Sequence, residues 1–177
     1  MGTVTVPLQH MKSNITLIGM PGSGKSTVGI ILAKNLSFGF IDTDVLIQIN
    51  RQKSLQEIIN EKDYLHLREV EEEEILKLNV ERHVISTGGS AIYSEHAMSH
   101  LQRISTIVFL EATFEEIQRR IHNFKTRGIA KVENQTFREL FEERQTLYRK
   151  YAEMTIDCNN TTQDDVAVLI SSGINRQ

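Results

Sequence analysis

Short apolar runs alternate along the chain with stretches in which apolar residues recur every three or four positions. The runs predict five strands, at 14–18, 38–41, 83–86, 104–110 and 154–157. The helical spacing predicts helices at about 25–36, 45–49, 54–59, 63–79, 114–121, 136–153 and 162–171. Strands that alternate with helices are typical of a parallel sheet covered on both faces. We therefore expect an α/β fold, a three-layer α/β/α sandwich around a central five-stranded parallel sheet.

Composition narrows the class of protein. The 177 residues carry a formal net charge of −3, which gives no electrostatic reason to expect nucleic acid as a partner. No apolar run approaches the roughly 20 residues that span a bilayer, and residues 1–12, a predicted loose leader, lack the features of a signal peptide. Cys158 is the only cysteine, so no intrachain disulfide can form. We expect a cytoplasmic, monomeric enzyme formed by a single domain, residues 1–177, that binds neither nucleic acid nor membrane.

The strongest motif is the stretch GMPGSGKST at residues 19–27. It satisfies G-x-x-x-x-G-K-[ST] and lies between a predicted strand and a predicted helix. Its glycines let successive backbone N–H groups surround a polyphosphate, and the helix N-terminus adds partial positive charge. Lys25 should reach the β- and γ-phosphates of a nucleoside triphosphate, and the Ser26 hydroxyl should bind Mg²⁺. The predicted nucleotide-binding residues of this loop are Gly22, Ser23, Gly24, Lys25, Ser26 and Thr27.

Polar residues or glycines also follow the next two predicted strands. Asp42 and Asp44 come after the second strand, and Gly88 and Gly89 come after the third. Ligands of parallel sheets bind beyond the carboxyl ends of the strands, so these residues should face the same crevice as the glycine loop. Asp42 can hold a water of the Mg²⁺ shell, and Asp44 can accept a hydrogen bond from a substrate hydroxyl and deprotonate it. For either aspartate alone, the alternative is a residue that only caps the following helix.

These motifs belong to an ordered set that continues with Arg68, Glu71, Arg120, Arg127 and Arg144. With this set the sequence resembles the shikimate kinases, small P-loop kinases of the nucleoside-monophosphate-kinase type, over nearly the whole chain. The resemblance implies a P-loop kinase fold with a lid at about 122–135. It also implies that ATP, with Mg²⁺ as cofactor, phosphorylates the 3-hydroxyl of shikimate to give shikimate 3-phosphate and ADP.

The resemblance implies roles for the residues on the acceptor side. Asp44 would bind hydroxyls of shikimate and act as the catalytic base, while Asp42 would serve the Mg²⁺ shell. Arg68 and Arg144 would hold the substrate carboxylate, and Glu71 would hold Arg68 in place. Arginine suits this task because its planar guanidinium can donate two parallel hydrogen bonds to a carboxylate.

The resemblance implies further roles for the loop after the third strand and for the lid. Gly88 and Gly89 would let the backbone approach the substrate ring, where a Cβ atom would intrude. Arg127, in the lid, would reach the transferring phosphate on closure and act with Lys25 to stabilise charge in the transition state. Arg120 would lie near the adenine.

Three positions depart from the family pattern, and all of them concern the substrate side. Ser90 stands where the family has a third glycine, Gly128 follows the lid arginine where proline is usual, and Leu67 replaces an aromatic residue. A related kinase that acts on a different small polyol or hydroxy acid therefore remains an alternative. A GTP-dependent switch is disfavoured by the absence of Asn-Lys-x-Asp, and a non-catalytic nucleotide-binding module is disfavoured by the paired aspartates and the lid arginine.

Overall fold

A five-stranded parallel sheet forms the centre of the structure, a computed structural model that describes residues 12–121, 129–132 and 134–174. The strands are β1 (Asn14–Ile18), β2 (Gly39–Asp42), β3 (His83–Ser86), β4 (Ser105–Glu111) and β5 (Met154–Asp157). Their order in the sheet is β2-β3-β1-β4-β5, and every pairing between them is parallel. The predicted α/β class with five parallel strands is confirmed.

Helices connect the strands and cover the sheet. They are α1 (Lys25–Leu36), α2 (Thr43–Arg51), α3 (Leu55–Glu61), α4 (Tyr64–Leu76), α5 (Glu95–Ile104), α6 (Phe114–Arg120), α7 (Phe137–Tyr151) and α8 (Gln163–Ile174), with a short 3₁₀ turn at Ala91–Tyr93. Helix α1 packs against α8, whereas α5 packs against α4 and β4. No helix in the described part of the chain is both long and apolar enough to cross a bilayer.

Helix α5 is absent from the elements that the sequence pattern predicts. Most of its residues are polar, so its short apolar stripe is hard to recognise in the sequence. The residues of this stripe, Ala97, Met98 and Leu101, are buried against the core. The hydroxyl of Ser94 caps the helix by accepting a hydrogen bond from the Ala97 N–H. The helix also runs to Ile104, so β4 begins one residue later than predicted. Helix α4 is shorter than the predicted 63–79: it begins at Tyr64 and ends at Leu76.

The register of the strands brings their carboxyl ends together. Asp42, the last residue of β2, lies opposite Ser86, the last residue of β3, and Ser86 in turn lies opposite Leu17 of β1. All five residues of β1 are buried, as expected for the central strand of a sheet with helices on both faces. The loops after β1, β2 and β3 therefore begin at one edge of the sheet.

A second, smaller hydrophobic cluster lies beside the main core. It consists of buried residues from α2, α3 and α4 together with one residue of the predicted lid, and its members are Ile47, Ile58, Leu67, Val70 and Ala130. Residues 129–132 form neither helix nor strand. Residues 1–11 of the predicted leader, and residues 122–128 and 133 of the predicted lid, lie outside the described residues.

Candidate active site

The glycine loop connects β1 to α1 in a backbone conformation that glycine tolerates best. Gly19, Gly22 and Gly24 have φ angles of 146°, 86° and 100°, all in the region that L-residues with a side chain rarely adopt. Gly24 is the N-cap of α1, so the loop leads directly into the helix N-terminus. The Lys25 ammonium folds back over the loop and donates to the carbonyl oxygens of Gly19 and Met20, at 2.8 and 2.9 Å. This arrangement can surround an anion with N–H donors.

The loop forms one wall of a cavity of about 280 Å³. The residues that line it are Pro21, Gly22, Gly24, Lys25, Ser26, Thr27, Asp44, Ser86, Thr87, Gly89, Arg120 and Gln163. Arg120 is fixed at this cavity by an ion pair with Glu116 and by hydrogen bonds to the carbonyl oxygens of Ser23 and Cys158. Of the predicted nucleotide-binding residues, only Ser23 does not line the cavity, because this residue of the loop is buried.

Asp42 does two things with its two carboxylate oxygens. Oδ1 accepts hydrogen bonds from the backbone N–H groups of Asp44 and Val45, which makes Asp42 the N-cap of α2. Oδ2 accepts a hydrogen bond of 2.5 Å from the Ser26 hydroxyl. The Ser86 hydroxyl lies 3.5 Å from that of Ser26. Asp42 therefore does cap α2, and in addition its second oxygen is directed at Ser26, the predicted Mg²⁺ ligand.

A second, much smaller cavity of about 30 Å³ adjoins the first. Its lining residues come from the loops after β1 and β3, from α2, α3, α4 and α7, and from the lid: Pro21, Asp44, Leu55, Leu67, Glu71, Gly88, Gly89, Ser90, Ile129, Ala130 and Arg144. We call it the acceptor cavity. Asp44, Pro21 and Gly89 line both cavities.

Arg144 is the largest buried side chain of the acceptor cavity, with 1% of its surface exposed. It projects from α7 and donates a hydrogen bond of 2.7 Å from Nη2 to the Ala130 carbonyl oxygen. Its Nε is buried without a hydrogen-bond partner. A buried guanidinium with an unused donor is suited to a bound anion such as a carboxylate.

Arg68 lies on the other side of Ser90 from the acceptor cavity. Its guanidinium carbon is 3.6 Å from the centre of the Tyr93 ring and 4.9 Å from that of Tyr64. Together with Ser90 and Tyr93 it lines a separate cavity of about 290 Å³. Burial lowers the pKa of Arg68, which favours an anion beside it. The structure thus brings Asp44 and Arg144 together at the acceptor cavity, and Arg68 approaches Arg144 across Tyr93, whose ring centre is 5.5 Å from the Arg144 guanidinium carbon.

Glu71 does not hold Arg68, contrary to the expectation from the family resemblance. Its Oε2 accepts a hydrogen bond of 2.5 Å from the Ser90 hydroxyl, and no ion pair or hydrogen bond joins it to Arg68 in the described residues. The reason is that α4 presents Glu71 to the loop after β3, while Arg68 turns towards the aromatic rings. Burial, and secondly the charge of Asp44, raise the pKa of Glu71 to about 7.

The loop after β3 is held close to α2 and α7. The Gly88 N–H donates to the Thr43 hydroxyl at 3.1 Å, and the Gly89 carbonyl accepts from the Tyr148 hydroxyl at 2.8 Å. A Cβ atom on Gly88 would lie 2.2 Å from Glu71 Oε1 and 2.5 Å from Asp44 Oδ1. Crowding by protein carboxylates alone therefore already requires glycine at this position.

Three residues without a predicted role line the larger cavity: Ser86, Thr87 and Gln163. Ser86 and Thr87 precede the predicted glycines, and their place at the end of β3 is a usable signal. Gln163 lines the larger cavity from the start of α8, and no sequence pattern marks it. Conversely, the predicted lid residue Arg127 lies outside the described residues, although Ile129 and Ala130, which follow it, line the acceptor cavity.

Comparison with known proteins identifies the family. A family model described as shikimate kinase matches residues 21–174. The chain belongs to the shikimate kinase family. A shikimate kinase of Caldanaerobacter subterraneus is 37% identical over 157 residues, which are 87% of this chain and 91% of that protein. Family membership makes the chain an ATP-dependent kinase that acts on an alcohol group, and it confirms the resemblance inferred from the motifs.

Solved structures of the shikimate kinase family have the same fold over nearly the whole chain. The shikimate kinase from Acinetobacter baumannii in complex with shikimate superposes with a TM-score of 0.87 at 30% identity, covering 94% of this chain and 95% of that one. The shikimate kinase from Aquifex aeolicus superposes with a TM-score of 0.79 at 31% identity, covering 92% and 96%. The predicted P-loop kinase fold is confirmed.

Proposed function

We propose that the protein transfers the γ-phosphoryl group of ATP to the 3-hydroxyl of shikimate, giving shikimate 3-phosphate and ADP. The observation that carries this proposal is the position of Asp44, which lines both the cavity of the glycine loop and the acceptor cavity that contains Arg144. A carboxylate between a phosphate site and a buried guanidinium suits an acceptor that carries both a hydroxyl and a carboxylate. The related protein from Acinetobacter baumannii was solved in complex with shikimate.

The larger cavity is the proposed ATP site. The N–H groups of residues 22–27 surround the phosphates, and the Lys25 ammonium exchanges its loop carbonyls for the β- and γ-phosphates. Arg120 lies near the adenine. Only the Lys25 side chain moves to meet the triphosphate, because the backbone N–H groups of the loop are already fixed around it. Little of the protein therefore has to rearrange as negative charge develops on the transferring phosphate.

The residues at the end of β2 fit a magnesium ion. Mg²⁺ prefers oxygen ligands, takes few carboxylates and keeps several waters, and the Ser26 hydroxyl and Asp42 Oδ2 lie 2.5 Å apart at the phosphate end of the cavity. No group of three or more His, Cys, Asp or Glu side chains that could hold a metal occurs in the described ranges. Ser26 would therefore be the direct ligand and Asp42 would hold a water. When bound, the ion neutralises charge on the transferring phosphate.

The acceptor cavity is the proposed shikimate site. Asp44 accepts a hydrogen bond from the reacting hydroxyl and takes its proton, and Arg144 holds the carboxylate, with Arg68 as the second arginine. Gly88 and Gly89 keep the wall of the cavity free of Cβ atoms. Ile129 and Ala130 line this cavity, and we expect their segment to move when shikimate enters.

Arg127 completes the proposed catalytic set from the lid. Its place in the sequence supports this role, because Ile129, two residues later, lines the acceptor cavity. In this role its guanidinium stabilises charge on the transferring phosphoryl group in the transition state. We also propose that the protein acts as a cytoplasmic monomer.

A coupled assay of ADP release tests the proposal directly. We expect release to require Mg²⁺ and shikimate together, and to fall strongly in Asp44→Asn without loss of ATP affinity. The same assay should be run with a panel of small polyols and hydroxy acids. Activity on one of these and none on shikimate would overturn the assignment of the acceptor, while ATP binding without any turnover would favour the non-catalytic module.

A second candidate function is a related kinase with a different small polyol or hydroxy acid as acceptor. The observation that favours it is Ser90, whose hydroxyl lines the acceptor cavity where the family pattern has glycine. The acceptor panel separates the two functions, because only the second predicts a substrate that the enzyme phosphorylates faster than shikimate.

A further inference from the structure

Ser90 places a hydroxyl group inside the wall of the acceptor cavity. The residue is buried, and its Oγ donates a hydrogen bond of 2.5 Å to Oε2 of Glu71, a carboxylate with only 2% of its surface exposed. Ser90 also lines the neighbouring cavity of Arg68. It therefore stands between the two arginines that are proposed to hold the substrate carboxylate.

The other oxygen of Glu71 faces the proposed base. Oε1 is buried without a hydrogen-bond partner, and both it and Asp44 Oδ1 approach the same point above Gly88. The charged groups around Glu71 are Asp44 of α2, Arg144 of α7 and Lys25 of α1. Two carboxylates and two cations thus lie close together, and the Ser90 hydroxyl donates to the Glu71 oxygen that points away from Asp44.

We propose that Ser90 is a positioning residue for the acceptor, which fixes Glu71 beside Asp44 and withholds it from Arg68. This inference deepens the proposed function and rests on it. A serine hydroxyl is a donor that a glycine cannot supply, and a hydrogen bond from it stabilises a carboxylate in one orientation. Without that donor, the nearest competing partner for a carboxylate on α4 is the Arg68 guanidinium, one turn away on the same helix.

Fixing Glu71 has two consequences for the acceptor. Arg68 keeps its guanidinium over the Tyr93 ring, and its Nε is buried without a hydrogen-bond partner, so this donor remains available to a substrate anion. Glu71 Oε1 stays next to Asp44 Oδ1 at the point above Gly88, and this limits where the substrate hydroxyl can approach Asp44. Ser90 thereby acts on the substrate through Glu71, and not by direct contact.

The first test measures the state of Glu71 in the ligand-free protein. ¹³C NMR of labelled glutamate carboxylates follows its titration, with Glu71→Gln to assign the signal. Because a Glu71 carboxylate that leaves Asp44 and pairs with the Arg68 guanidinium is stabilised in its charged form, Ser90→Ala should move this titration to lower pH, and Ser90→Thr, which keeps a hydroxyl, should leave it near that of the wild type. A shift to higher pH would mean that Glu71 stays beside Asp44 without the donor, and it would overturn the inference. An unchanged titration in Ser90→Ala overturns the inference, and this arm does not depend on which substrate the enzyme uses.

The second test separates acceptor binding from turnover. Loss of a hydrogen bond to a charged group is worth roughly tenfold or more in an equilibrium constant, so Ser90→Ala should raise KM for shikimate about tenfold while KM for ATP stays constant. Ser90→Thr should restore most of the loss, and Ser171→Ala, a hydroxyl deletion on α8, should change nothing. An unchanged KM for shikimate in Ser90→Ala would show that the hydroxyl does not position the acceptor site and would overturn the inference. Absence of turnover on shikimate in the wild type would instead refute the proposed function, and the NMR result would still stand.

Discussion

The hydroxyl of Tyr148 donates a hydrogen bond of 2.8 Å to the carbonyl oxygen of Gly89. The Tyr148 ring is completely buried and stacks on Phe109 of β4, with a centroid distance of 5.1 Å. Burial raises the pKa of Tyr148, so the hydroxyl remains a donor throughout the physiological range. This contact ties α7, which carries Arg144, to the loop that separates the two cavities.

Tyr148→Phe should therefore loosen the acceptor site without touching a catalytic group. The lost hydrogen bond should cost roughly 0.5–1.5 kcal/mol in the free energy of unfolding, and the freed Gly89 loop should raise KM for shikimate several-fold while KM for ATP stays constant. Steady-state kinetics and urea denaturation measure the two effects. Tyr151→Phe, on the same helix but outside the cavities, is the matched control, and an equal rise in KM there would contradict the prediction.

Gly88→Ala should abolish activity, because the new Cβ atom would meet the carboxylate oxygens of Glu71 and Asp44 at 2.2 and 2.5 Å. Relief requires both carboxylates to shift, and movement of Asp44 displaces the proposed base. We expect a fall in kcat of at least about 100-fold, in line with misplacement of a catalytic group by about 1 Å. Gly173→Ala is the control, since its Cβ meets only the flexible end of Met154. Substantial activity in Gly88→Ala would mean that Asp44 can be displaced without loss.

Two substitutions of Asp42 separate its two roles. Asn retains an oxygen that can cap α2, whereas Ala loses the cap and should lower the free energy of unfolding by about 1 kcal/mol. Both remove the charge beside Ser26, so both should raise the Mg²⁺ concentration needed for half-maximal activity. Thermal denaturation and a magnesium titration of the rate measure these effects. A wild-type magnesium requirement in Asp42→Asn would leave the cap as the only role of the residue.

The sequence predicts those parts of the site that follow from the strand ends. In a parallel sheet the loops after β1, β2 and β3 must share one edge, so the alternation of strands and helices is enough to place the glycine loop beside Asp42. The direction in which a side chain points within the site cannot be predicted in this way. Whether Glu71 turns to Arg68 or to Ser90 depends on a hydrogen bond between residues on α4 and on the loop after β3, and no spacing along the chain encodes that choice.

The missed helix α5 shows a second limit of sequence patterns. Its apolar stripe is narrow and is interrupted by histidine, serine and glutamine, so periodicity alone does not distinguish it from a polar loop. The serine cap at Ser94 was the remaining signal. The family resemblance, by contrast, predicts Arg68 and Arg144 as a pair, and both guanidinium groups lie over the Tyr93 ring, although only Arg144 lines the acceptor cavity.

The raised pKa of Glu71 predicts a pH dependence of stability. Its folded-state pKa of about 7 lies above the ordinary value of 4.5, so the folded protein retains a proton that the unfolded chain releases between these values. The stabilisation from this group is fully present below pH 4.5 and is lost as pH rises through 7. Glu71→Gln abolishes this titration while keeping an acceptor for Ser90.

Urea denaturation without ligands at pH 4.5 and pH 8 measures the effect. Between these values the wild type should lose on the order of 3 kcal/mol more unfolding free energy than Glu71→Gln. Glu69→Gln, which alters an exposed carboxylate on the same helix, should follow the wild type. Parallel stability curves for the wild type and Glu71→Gln would show that the Glu71 carboxyl titrates alike in the folded and unfolded chains.

Conservative replacement of the two arginines should have unequal effects. Arg144 is 1% exposed, lines the acceptor cavity and donates to the Ala130 carbonyl oxygen at 2.7 Å. Arg144→Lys keeps the charge but loses the planar set of donors, so KM for shikimate should rise on the order of 100-fold. Arg68→Lys should raise it less than about tenfold, because Arg68 is half-buried over Tyr93 outside that cavity. Calorimetric titration of shikimate, at a temperature where denaturation shows both variants folded, measures the two affinities without turnover. An equal or larger loss in Arg68→Lys would mean that Arg68 leaves Tyr93 and contacts the bound carboxylate as closely as Arg144 does.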